Sequence, residues 1–314
     1  MVCVVGNRVR AAIIRGRQIT GLASEVMAEL VAEVGPLWHE RHQAGLASRA
    51  RRRAVGAGAK RKLVFVDRLL ATLVHLRHGA THDVLACWFG VDRSTVTRAI
   101  GEVRPLLSER GCTIAPGVRL RSLAEVVDYL GASGQTGIID GTEIRVRRPA
   151  AGSKDREKFI SGKNGQNVVK SMVVTDAGGR LLFCSPAQPA SCADITHARQ
   201  LGLVKLLADG PVVEILADAG YQGLGAQTGG GVVTPPHRKF KKDAPDWYEE
   251  MHERRRKAHS SRRIRVEHGI AHLKKWRALA RHHGRREHMT DTVQAIADLL
   301  SHQQTITLAA DERM

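Results

Sequence analysis

Two short apolar runs, each closed by an aspartate with a glycine just beyond, constrain this chain most: Ile138-Ile139-Asp140-Gly141 and Ile215-Leu216-Ala217-Asp218-Ala219-Gly220. Runs of this length, rich in Ile and Val, read as strands. The first continues in alternation through Ile144 and Val146, and a polar loop, AAGSKDREKFISGKNGQN, follows. In VVKSMVVTDAGGRLLFCSP two further β-runs flank Asp176-Ala177-Gly178-Gly179, a hairpin signal. A helix is expected over 194–207 with Asp194 as its cap, before the second aspartate-ended strand. Strand, hairpin, helix, strand and then helices make a mixed α/β sheet rather than a series of βαβ repeats. If the two aspartate-ended strands are neighbours, Asp140 and Asp218 emerge at one sheet edge, where ligands of open α/β sheets bind. An aspartate before glycine is equally an ordinary turn residue. Asp176 and Asp209 read as turn or cap residues, and Glu143 as a solvent-facing strand residue.

Residues 260–277, SSRRIRVEHGIAHLKKWR, read as one helix on the spacing of Ile264, Ile270, Leu273 and Trp276. Six Lys or Arg and two His share it with a single acid, Glu267. Glu267 either pairs along the helix with Arg263, four residues before it, or binds a metal ion whose chemistry acts on a polyanion held by the surrounding bases. Joined to Asp140 and Asp218 it makes three hard oxygen ligands, which suit Mg²⁺ or Mn²⁺. Two such ions clamp the attacking and leaving oxygens of a phosphodiester displacement.

The charge balance favours the polyanion. Net charge is +18, with eighteen Lys or Arg against nine acids over residues 1–115 and seventeen against seven over 237–288. Such a surplus points to nucleic acid partners and to two places where a phosphate backbone is gripped. No stretch approaches 18 apolar residues, and the basic N-terminus does not read as a signal peptide. Cys3, Cys87, Cys112, Cys184 and Cys192 are scattered without a CxxC pair, the usage of reduced thiols in a cytoplasmic protein. The histidines, including His259 and the His268/His272 pair, come without an HExxH motif, so a zinc site is not expected. P-loop spacing and a nucleophile elbow are absent.

An amphipathic helix is expected around Leu22, Val26, Leu30 and Val34, ended by Gly35-Pro36, then a basic connector, RARRRAVGAGAKRK. A clear helix follows over 62–77. THDVLACWFGVDRSTVTRAIGEV then reads as two helices about a turn at Gly90, with Asp92 or Ser94 capping the second. That second helix buries Val96, Ile100 and Val103 and exposes Arg93, Ser94, Thr95, Thr97 and Arg98 near its start, as a recognition helix in a major groove requires. An ordinary helical hairpin has the same pattern. Pro105, Gly111 and Pro116-Gly117 mark a boundary, giving segments 1–60 (helical and basic arm), 61–115 (helix-turn-helix) and 120–314 (catalytic).

From about 82 to 279 the chain resembles the DDE transposases of bacterial insertion sequences related to Harbinger-type endonucleases. GIIDGTEIRV, FISGKNGQNVVKSMVVTDAGGRL, SPAQPASCADITHAR, ILADAGYQGL and RRIRVEHGIAHLKKWR carry the resemblance in that order. It implies an RNase H-like mixed sheet flanked by helices, behind an all-α helix-turn-helix domain. The metal ligands would be Asp140, holding both ions, with Asp218 and Glu267 holding one each. Arg263 and Lys274 match the family's cations on the last helix, while Ser260 stands at its usual tyrosine position. The implied activity is cleavage of double-stranded DNA at element ends, then attack of the freed 3′-hydroxyl on target DNA, by a homodimer or higher assembly on the bacterial nucleoid. A repressor or inactive domesticated transposase, and a non-mobile endonuclease, are the competing readings. TPPHRKFKKDAPDWYEE adds basic and aromatic residues suited to DNA, or forms a plain surface loop.

Overall fold

Buried leucines and valines on the N-terminal helices and apolar residues on both faces of the central strands build a helical region and a sheet covered by helices on either side. The computed structural model describes residues 7–48, 62–152, 154–238, 244–280, 284 and 286–311. Most of the basic connector, part of the 234–250 segment, Cys3, His282 and His283 lie outside the described residues.

Helices α1 (Asn7–Arg15), α2 (Arg17–Thr20), α3 (Ser24–Ala47), α4 (Phe65–His78), α5 (His82–Phe89) and α6 (Arg93–Ser108) come first. Helix α3 does not end at Gly35-Pro36 but runs straight through both. Pro36 removes one helical hydrogen bond, yet the next turn carries Trp38, which packs on Phe65 and donates its indole N–H to Glu102 at 2.9 Å. That burial outweighs the single missing bond. Pro105 likewise sits inside α6, because Leu106 and Leu107 beyond it are buried, and the break falls at Gly111 (φ 77°). Gly90, at φ 62°, makes the turn between α5 and α6.

A small hairpin, β1 (Cys112–Ala115) and β2 (Val118–Leu120), leads to α7 (Leu123–Ser133). The central sheet comprises β3 (Gly137–Arg145), β4 (Val168–Asp176), β5 (Leu181–Cys184), β6 (Gln188–Pro189), β7 (Ile215–Leu216) and β8 (Val232–Val233). Its order is β5-β4-β3-β7-β8, with β6 also on β4. The hairpin at Asp176 joins antiparallel β4 and β5, while β7 lies parallel to β3 and β8 parallel to β7. The helix expected over 194–207 is two, α8 (Asp194–Gln200) and α9 (Leu203–Asp209), parted by Gly202 at φ 79°. Then come α10 (Leu224–Gln227), the 29-residue α11 (Asp246–Lys274), α12 (Arg277–Ala280) and α13 (Met289–Asp311).

Period-two alternation sorts the strand residues between two cores. Ile139, Val174 and Ile215 pack with α7 and α9, whereas Ile138, Val173 and Leu216 share the opposite core with α11 and α13. This second core is continuous with the helices of 1–60 and 61–115, from Ile13 through Val96 to Leu299. Helix α13 spans it, touching α6, β1 and β5. Arg110 donates to Asp298 on α13 at 2.7 and 2.5 Å and to Glu33 on α3 at 2.8 and 3.1 Å. No described helix is long and apolar enough to cross a membrane.

Candidate functional site

The parallel register pairs Gly137 with Ile215 and Ile138 with Leu216. Carried two residues further, it puts Asp140 level with Asp218. Asp140 is not at a strand end, however: β3 runs on through it to Arg145, still paired with β4. What ends is β7, so beyond Leu216 the flank of β3 beside Asp140 is open to the chain leaving β7. Both carboxylates are held by glycine N–H groups, Gly141 donating to Asp140 at 2.7 Å and Gly220 to Asp218 at 2.8 Å. Asp218 thereby opens a short 3₁₀ turn, Ala219–Tyr221, whose tyrosine is buried beneath the pair.

Helix α11 closes the site. His259 donates a ring N–H to the carbonyl of Ala217, one residue before Asp218, at 2.9 Å. Arg263, nine-tenths buried, reaches Asp140 with Nη2 at 3.3 Å. Gly269 lets the helix lie on the hairpin, since a Cβ there would stand 3.0 Å from Cγ2 of Thr175. The pairing of Arg263 with Glu267 is therefore replaced by one with Asp140, because Arg263 faces the sheet. Glu267 is exposed one turn beyond it. Lys274 is exposed at the end of α11. Ile264, expected on the apolar face, points to solvent, and Val266 takes its place.

Burial pushes the Asp140 carboxyl up to about 6; Arg263 opposes this, while the charges of Asp218 and Asp194 add to it. Asp194 is the group the sequence concealed. Its cap role is not realised: Ala193 is the N-cap and Asp194 lies inside the first turn of α8. Its carboxylate instead accepts from Lys170 Nζ at 3.3 Å. It lies 2.8 Å from where a Cβ on Gly141 would stand and 3.2 Å from that of Gly220. The same two glycines that hold Asp140 and Asp218 thus leave room for a third acid. Glu143, expected in solvent, is largely covered and accepts from Ser161 Oγ at 3.0 Å, because the loop before β4 folds over it. His259 and Asp194 left only faint marks in the sequence: His259 sits four residues before Arg263, and Asp194 follows Cys192-Ala193 like any helix start.

Divalent ions fit this donor set. Two carboxylates level at one edge, one of them raised chiefly by burial and further by the other's charge, are hard oxygen donors. Among the described residues no three His, Cys, Asp or Glu side chains are placed to close on one ion, so Asp140 and Asp218 are the pair the fold itself brings together.

On α6, the helix expected to enter a groove, Arg93, Ser94, Thr97 and Arg98 are exposed as expected, while Thr95 is half-buried against the turn. Thr97 Oγ1 donates to the Arg93 carbonyl at 3.0 Å and lies 2.8 Å from His82 Nδ1; Arg93 stands 3.6 Å from Asp83. Asp92 is the N-cap but makes no side-chain cap bond, since its carboxylate pairs with Lys62 at 3.2 Å. Further basic residues, Arg254, Arg255, Arg256, Lys257, Arg262 and Arg265, stand exposed along α11.

Two stretches of the chain match family models. Residues 139–301 match the family model described as DDE superfamily endonuclease, and residues 61–113 match the helix-turn-helix of DDE superfamily endonuclease. The chain is 30% identical over 234 residues to the putative transposase for insertion sequence element IS112 of Streptomyces albus G, covering 72% of this chain and 77% of that one. It is 24% identical over 169 residues to the probable transposase for insertion sequence element IS702 of Microchaete diplosiphon, covering 53% of this chain and 56% of that one. A crystal structure of a pre-cleavage Mos1 transpososome aligns over 87% of this chain and 96% of its own, at 12% identity and a TM-score of 0.18, a likeness that carries no weight.

Proposed function

The chain belongs to the DDE superfamily of endonucleases, and from that premise we propose that it is an insertion-sequence transposase that cuts DNA at its element's ends and joins the freed 3′-hydroxyl to target DNA. One observation carries the reading: parallel β3 and β7 set Asp140 and Asp218 level at one sheet edge, under a helix whose Arg263 is drawn to Asp140.

Asp140 and Asp218 would hold Mg²⁺ or Mn²⁺, with Glu267 as the ligand that approaches from the solvent side of α11. Two such ions supply Lewis-acid activation of the attacking oxygen and of the leaving oxygen. Arg263 orients the Asp140 carboxylate and neutralises part of its charge. Lys274, exposed like Glu267, would grip a phosphate of the cut strand. Arg93, Ser94, Thr95, Thr97 and Arg98 hold the element's terminal inverted repeat in the major groove, and the bases along α11 follow the backbone. Pairing two ends calls for a dimer or higher assembly, at work on the nucleoid.

The test uses duplex DNA carrying the element's terminal repeats, with Mg²⁺ present and absent. Cleavage and then strand joining are expected only with the ion, and Asp140→Asn and Glu267→Gln should each lower cleavage by about a hundredfold or more. Undiminished cleavage in both variants overturns the assignment. Cleavage without joining identifies a nuclease that does not transpose.

A further inference from the structure

Asp140 and Asp218 lie just past the end of the ladder that aligns them. Pairing between β3 and β7 closes at Ile138 and Leu216, two residues short of each aspartate. On the side of α11, Arg263 reaches Asp140 at 3.3 Å and His259 donates to the Ala217 carbonyl at 2.9 Å. The other side of the sheet carries Asp194. By the period of two, Gly141 and Glu143 share that face with Ile139, while Asp140 shares with Ile138 the face that α11 covers.

The two carboxylate oxygens of Asp194 divide between two glycines. Oδ1 lies 2.8 Å from the position a Cβ on Gly141 would take, and Oδ2 lies 3.2 Å from that of Gly220. These are the residues whose N–H groups hold Asp140 and Asp218. Neither glycine takes a positive φ, so what each contributes here is room rather than a special backbone conformation. Asp194 does not cap α8, whose N-cap is Ala193. Its partner is Lys170 on β4, 3.3 Å away, with both side chains mostly covered. Lys170 stands across the strands from Glu143 and 4.0 Å from its carboxylate. A bare third carboxylate would repel the other two. Paired with a buried ammonium, it can act as a spacer between them.

We propose that Asp194, neutralised by Lys170, is a positioning residue for the nuclease centre: it spans the gap between β3 and the turn Ala219–Tyr221 and sets the separation of Asp140 and Asp218. With that separation it sets the affinity of the two aspartates for a divalent ion. The proposal rests on Asp140 and Asp218 being metal ligands. Asp194 itself does not ligate; its shape holds the gap, and Lys170 cancels its charge. Loss of a partner that orients metal ligands in this way typically costs about ten- to a hundredfold in metal affinity.

The experiment measures Mn²⁺ binding to the full chain by electron paramagnetic resonance, and thermal melting in chelator, for two double variants of equal charge. Asp194→Asn with Lys170→Met keeps the shape of the spacer and removes the ion pair. Asp194→Ala with Lys170→Met removes both. The asparagine variant is expected to bind Mn²⁺ within about threefold of the parent, and the alanine variant about tenfold more weakly or worse. Their melting temperatures in chelator should be alike. Equal Mn²⁺ affinity in the two double variants overturns the proposal. If both match the parent, Asp194 sets nothing; if both fall together, its charge or direct ligation is what counted. A melting temperature that falls with the affinity of the alanine variant marks a loosened fold rather than a changed spacing, and the proposal fails. A parent chain that takes up no Mn²⁺, or an Asp140→Asn variant that takes up as much as the parent, overturns the metal reading of the site itself and this role for Asp194 with it.

Discussion

Asp140 illustrates how burial unsettles a single charged side chain. Its burial beside Asp218 and Asp194 raises its pKa from 3.8 to about 6, with Arg263 offsetting only part of that. Between about pH 4 and pH 6 the folded chain therefore holds a proton that the unfolded chain has released, so this group's contribution to stability falls as pH rises through that window. Without metal, Asp140→Asn is expected to match the parent near pH 4 and to exceed it by up to about 3 kcal/mol near pH 8. Thermal melts in chelator at the two pH values check this, and Mg²⁺ should raise the melting temperature of the parent alone. An Asn variant less stable than the parent near pH 8 would contradict it. At this scale the sequence was half legible. An aspartate that ends an apolar run before glycine advertises itself, so Asp140 and Asp218 could be picked out. Asp194 could not, because its place depends on the absent side chains of Gly141 and Gly220, fifty-three and twenty-six residues away.

Helices and strands came through wherever the apolar period was unbroken, and failed where packing overruled local chemistry. The hairpin at Asp176 and the turn at Gly90 follow directly from glycines that take positive φ. The stops expected at Pro36 and Pro105 did not occur, since Trp38 and Leu106-Leu107 had buried places waiting beyond them. In α11 the period misled in another way: a helix that rests on the sheet along only part of its length leaves Ile264 outside. For α6 the exposed start makes a sharp prediction. Arg93→Ala or Arg98→Ala should weaken binding to end DNA by about 1–3 kcal/mol. A phosphate contact will show as a fall of about 0.9 in the salt slope, and a base contact as relaxed sequence preference at constant slope. Filter binding across salt concentrations distinguishes them, and unchanged affinity in both variants would remove α6 from the interface.

The molecule as a whole is tied together by charges as well as by its core. Burial alone would lower the pKa of Arg110, but the Asp298 and Glu33 carboxylates more than restore it. Glu33 also accepts from Arg119 at 2.6 and 2.7 Å, so α3, the turn after α6, β2 and α13 meet at one buried cluster. Arg110→Ala should cost about 3–5 kcal/mol by leaving Asp298 buried without its partner, whereas replacing both with apolar residues of similar size should recover most of it. Urea unfolding of the single and double variants measures the difference, and equal loss in both would show that the cluster matters for shape rather than charge. Because α13 packs on α6 and on β1 and β5, the proposed function makes the span from recognised repeat to cut a fixed length of protein. An extra base pair slipped between the recognised repeat and the cut should not be absorbed by a swinging joint. The break would fall at the same distance from the repeat as before, one nucleotide short of its former junction.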